Sequence, residues 1–118
     1  VPRALTAIGP LRDAGAVVAA GADNLQDPFN HLGRACPFET AALMVLAAHD
    51  LPAQAWEAVS TDAAAVLGRP TAGLTPGAPA HLVAVAANSL RGAIASGGAP
   101  RRVWRHGVEH LPDSVFAS

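Results

Sequence analysis

The residues best suited to chemistry crowd into one stretch, Gly21-Ala22-Asp23-Asn24-Leu25-Gln26-Asp27-Pro28-Phe29-Asn30. It carries two carboxylates among side-chain amides, directly after the small apolar run at residues 16–20. An ionised carboxylate can ligate a metal or shuttle a proton. In α/β barrels the C-terminal tip of a strand is where catalytic side chains lie, and Asp23 would stand at such a tip. A plain loop in which Asp and Asn cap turns has the same composition, and spacing alone favours that plainer reading.

The remaining reactive side chains are scattered. The five histidines, His31, His49, His81, His106 and His110, form no HxH or HExxH pair. His106 and His110 fall in an expected hairpin, so their spacing of four does not place them on one helical face. Cys36 stands before Pro37 with no base positioned by sequence, and reads as a small buried residue. Trp56 and Trp104 read as core anchors. Arg101, Arg102 and Arg105 read as a solvated strand face.

Composition sets the bounds. A chain of 118 residues, 51% hydrophobic, is long enough for one small folded domain. Eight arginines and no lysine face nine acidic residues, for a net charge of -1. That balance gives no footprint for nucleic acid. No apolar run approaches the ~20 residues of a membrane span. One cysteine allows no internal disulfide, so a cytoplasmic location is expected. The first residues, Val1-Pro2-Arg3, show neither an initiator Met nor a signal-peptide pattern, as in a processed chain or a fragment.

The elements that must position these residues follow from local signals. Residues 5–14 read as a short helix stopped by Gly15. Residues 16–20 then read as a strand buried on both faces, as in a parallel sheet. Residues 21–36 form a long loop, of the kind that often carries function. Pro37 opens a helix over residues 38–49, with Phe38, Ala41, Ala42, Val45 and Leu46 at helical spacing. Pro52 opens a second helix, and Thr61 caps a third over residues 62–67 that Gly68 ends. After Arg69-Pro70 the character changes. Thr75-Pro76-Gly77 is a turn signal, residues 82–85 read as a strand, and Ser89 caps a short helix stopped at Gly97-Gly98. Residues 102–105 and 108–110 read as strands joined by a tight turn at His106-Gly107.

The order of these pieces resembles the last part of the amidohydrolase superfamily, especially cytosine deaminases. Residues 16–24 look like the family's eighth barrel strand with its metal-binding Asp at Asp23. Asp27-Pro28-Phe29-Asn30 followed by Leu32-Gly33 is similar to the loop that comes next. Residues 58–68 resemble the helix after the barrel, residues 73–83 the return into a small β-domain, and residues 103–109 its closing hairpin. The resemblance covers nearly the whole chain. Departures are His81, where the family usually has Asp, and Asn24 and Phe29, where cytosine deaminases proper tend to have Asp and Trp. The family's HxH pair, its middle-strand ligands and its carboxylate partner have no counterpart here.

The resemblance implies an α/β fragment: the last strand and helices of a (β/α)8 amidohydrolase barrel over residues 1–69, then part of a small β-sandwich-like domain over residues 70–118. A complete barrel needs about 250 residues. The implied parent is a metal-dependent hydrolase acting on C–N bonds, deaminating a cytosine-like or related small heterocycle with zinc or iron. There the metal would lower the pKa of a bound water. Asp23 would hold the metal and pass the proton, while Asn24, Asp27 and Phe29 shape the substrate pocket. The 118-residue chain alone is expected to be inactive, to hold no metal tightly, and to self-associate or pack against the missing barrel, with no nucleic-acid or membrane partner. The alternatives are a non-catalytic protein-binding module and an amidohydrolase that opens a cyclic amide.

Overall fold

The computed structural model describes residues 5–71 and 73–111. Its elements are α1 (Ile8–Asp13), α2 (Pro37–Ala48), α3 (Pro52–Val59), α4 (Thr61–Val66), β1 (Leu82–Val85), α5 (Leu90–Ala95), β2 (Arg101–Arg105) and β3 (Val108–His110). The strands form one antiparallel sheet in the order β1-β2-β3, with Leu82 opposite Trp104 and Trp104 opposite Glu109. The architecture is thus mixed α/β, with helices packed on one another and a small antiparallel sheet beside them.

Local chemistry explains most boundaries. Pro37 and Pro52 occupy first-turn positions, where a missing N–H costs nothing. The Leu51 N–H is instead taken by the Gln54 Oε1 at 3.1 Å. Ser89 Oγ accepts the Gly92 N–H at 3.0 Å, capping α5 as its sequence position predicts. Gly15 and Gly68 end their helices with φ of 83° and 62°. The expected cap at Thr61 is corrected: Ser60 is the cap residue, Thr61 is the first helical residue, and no side chain caps the turn. Ser60 Oγ turns back to the Trp56 carbonyl at 2.5 Å instead.

The core is small and helical. Phe38, Ala41 and Met44 of α2 meet Ala55 and Ala58 of α3 and Ala93 and Ile94 of α5. The alanines let the helices approach closely, and Phe38 and Trp56 fill the remaining space with ring centroids 4.8 Å apart. The buried face of α2 therefore runs through 38, 41 and 44. Leu46, expected on that face, is 75% exposed, and Leu43 is 59% exposed. Arg12 ties α1 to the turn after α2 through a 2.6 Å bond to the largely buried Asp50. Arg12 Nη2 and Asp50 Oδ2 are buried without a partner among the described residues.

Residues 16–20, expected as a doubly buried strand, join no sheet. Within this run the backbone bonds are Ala16 N–H to the Leu11 carbonyl, 3.0 Å, and Ala20 N–H to the Ala58 carbonyl, 2.9 Å. Val17 is 59% exposed. The reason is geometric: a strand exists only with neighbours, and the described residues supply none beside this one. Leu5, Ile8, Val18, Ala20, Leu43 and Met44 line an open apolar groove of about 380 Å³ along it.

Candidate functional site: the loop at residues 21–36

The loop opens with Asp23 in the left-handed region, φ 57°. Asp tolerates that conformation better than most residues, yet it remains uncommon and worth a reason. Asp23 is exposed. Among the described residues no hydrogen bond or ion pair engages its carboxylate.

Asp27, four residues on, is fully engaged. Its Oδ2 accepts from Asn24 Nδ2 at 2.6 Å. Its Oδ1 accepts from the backbone N–H groups of Phe29 at 2.9 Å and Asn30 at 3.0 Å. Asp27 N–H in turn donates to the Asn30 carbonyl at 3.2 Å. Desolvation pushes this carboxyl up, but the bonds from Asn30, Asn24 and Phe29 outweigh it and hold the group below its ordinary value. Asn30 continues the pattern: its side-chain oxygen accepts the Leu32 N–H at 3.2 Å, and its carbonyl accepts the Gly33 N–H at 3.3 Å. Gly33 is buried against the Asn24 carbonyl, where any β-carbon would overlap that oxygen. The loop is therefore a built turn, in which Asn24, Asp27, Asn30 and Gly33 fix one another.

Of the four residues singled out by sequence, the structure joins Asn24 to Asp27 directly. Phe29 enters through its backbone, while its ring is 70% exposed. Asp23 stays apart from this network. Asp27 spends both oxygens inside the loop, so of the two carboxylates the one without a partner among the described residues is Asp23.

Sequence spacing missed one neighbour of the loop. Cys36 caps α2 and is half-buried. Arg101, at the start of β2, brings Nη1 to 3.5 Å of its sulfur and lies 5.8 Å from the centre of the Phe38 ring. Burial pushes the thiol up, but the Arg101 bond and the N–H groups of Glu39 and Phe38 outweigh it and lower its pKa. The Cys-Pro pair at a helix start was visible in the sequence; an arginine 65 positions away was not. The arginine cluster itself is sorted by the fold. Arg102 makes a two-pronged bridge to Glu109 at 2.7 Å and stacks 4.9 Å from the Trp104 ring centre, and Arg105 is exposed.

Among the described residues, no three His, Cys, Asp or Glu side chains cluster where they could hold a metal ion. No described helix is long and apolar enough to cross a membrane. Comparison with protein-family models, with curated proteins and with solved structures finds no match.

Proposed function

We propose that this chain is the C-terminal part of a metal-dependent amidohydrolase, with residues 1–69 ending its (β/α)8 barrel and residues 70–118 contributing to a small β-domain. The parent deaminates a cytosine-like or related heterocycle. The observation that carries the reading is the contrast inside one loop: a free, exposed Asp23 at the end of an unpaired apolar run, followed by a turn that is rigidly tied. A carboxylate meant for chemistry needs both free oxygens and a fixed base, and non-glycine residues held in the left-handed region cluster at functional sites. The unpaired run at 16–20 and the exposed leucines of α2 support the same reading, because both are apolar surfaces suited to burial against further strands and helices.

The metal that such a parent uses does not fit the described residues alone. A catalytic centre takes about three protein ligands, and the loop offers one carboxylate. Other segments must complete the set. Within this chain, Asp23 is assigned to accept and return a proton through its free carboxylate oxygens. Asn24 and Asp27 lock the backbone that carries it, and Phe29 presents an apolar face at the pocket mouth.

The test is a pair of substitutions in the full-length parent. Asp23→Asn keeps the shape and loses the base, so turnover falls by about 10²–10⁴-fold. Asp27→Asn weakens a turn and costs far less. Rates compared at equal folded content decide it: near-normal turnover by the Asp23 variant, or equal losses in both, would overturn the assignment.

A further inference from the structure

We propose that the β2–β3 hairpin carries an acid-released pin: neutral His81 holds the tight turn at His106-Gly107, and protonation of His81 lets it go. Both turn residues lie in the left-handed region, with φ of 50° and 76°. Gly107 adopts this freely, but a residue with a β-carbon pays on the order of 1 kcal/mol, so His106 needs support. Two bonds from the residues ahead of β1 supply it. Gly107 N–H donates to the Ala80 carbonyl at 3.0 Å, and His106 N–H donates to His81 Nδ1 at 3.4 Å. The two imidazoles meet edge to face, centroids 4.4 Å apart.

A ring nitrogen accepts a hydrogen bond only while it carries no proton. The His106 N–H can only donate, so this bond exists in one protonation state of His81. The charged and titratable groups of the sheet are placed by its register. Leu82 pairs with Trp104, and continuing that register by one position sets His81 beside Arg105. Arg105 pairs with Val108 of β3, and His110 lies two residues beyond. The carboxylate of this sheet, Glu109, has both oxygens bound by Arg102. A protonated His81 therefore loses its acceptor beside a second imidazole, that of His106. Because only the neutral form makes the bond, the pin is in place while the ring is unprotonated and is lost on its protonation.

Amide hydrogen exchange in the 118-residue chain tests this, with rates divided by those of unstructured peptide so that the intrinsic pH dependence cancels. Protection of the His106 N–H is expected to fall about three- to ten-fold from pH 8 to pH 5, the weight of one ordinary hydrogen bond. In His81→Asp a carboxylate accepts at both pH values, so protection stays level. In His81→Ala it is low at both. Cross-strand proximity of Val103 and His110 reports whether the hairpin persists. Level protection in the native chain overturns the proposal, as does native protection at pH 8 in an intact His81→Ala hairpin. If the alanine variant loses the hairpin, the native and His81→Asp profiles decide: divergence supports the pin, and identical profiles refute it.

Discussion

Asp23 and Asp27 share a side chain and a loop, yet their surroundings differ: Asp23 is exposed, with no bond to its carboxylate among the described residues. Asp27 is saturated by Asn24, Phe29 and Asn30, and its carboxyl is held below the ordinary value by those bonds acting against desolvation. The sign follows. A lowered carboxyl favours the folded loop fully at pH values above the unfolded pKa, and that support is lost as pH falls through the lowered value. The Phe29 and Asn30 amide resonances are therefore expected to stay fixed from neutral pH down to about pH 4, the usual carboxylate value. Below it they should move together. Movement of both well above that range would show that another group holds the turn. At this scale the sequence was informative about residue type but not partnership. Asp before Pro28 signals a turn, whereas the Asn24 amide folding onto Asp27, and Gly33 closing on the Asn24 carbonyl, depend on how the loop curls back.

The elements divide by how local their causes are. The helix starts at Pro37, Pro52 and Ser89, the stops at Gly15 and Gly68, and the β2–β3 turn at His106-Gly107 were all legible, because each is decided within a few residues. The run at residues 16–20 was not, because strand identity depends on partners elsewhere. The face of α2 was largely legible: Phe38 and Ala41 are buried and Ala42 and Val45 pack against the core, but burial follows where α3 and α5 sit, so Met44 is buried and Leu46 is not. A glycine pair after α5 tests this packing. Gly97 and Gly98 both have positive φ, 66° and 69°. A β-carbon at Gly97 meets open space, whereas at Gly98 it would overlap the Phe38 ring. Gly97→Ala is expected to cost about 1 kcal/mol from conformation alone. Gly98→Ala should cost a further 1–3 kcal/mol or so, from overpacking against the largest core side chain. Urea unfolding of the two variants measures the difference, and equal midpoints would show that Phe38 does not pack as described.

At the scale of the whole molecule, apolar side chains outnumber the places to bury them. Among the described residues the core consists of seven mostly small side chains, while Val17, Leu43, Leu46, Leu67 and Val108 remain more than half exposed. Surfaces of this kind mark an interaction site or missing neighbours. The 118-residue chain alone is therefore expected to form dimers or larger species in light scattering as concentration rises, and a clean monomer at high concentration would count against the account. The apolar excess was legible in the composition and in the run at residues 16–20, but the exposed leucines of α2 were not.

The central claim, that this chain supplies one carboxylate to a centre completed by other segments, is tested most directly by measuring metal and activity together. The purified 118-residue chain and the full-length parent are each incubated with zinc or iron, freed of unbound ion, and assayed for bound metal and for ammonia released from cytosine-like heterocycles. The account predicts retained metal and ammonia release from the parent, and neither from the 118-residue chain. One tightly held metal with turnover in the short chain, or a parent that holds no metal and releases no ammonia, would contradict it.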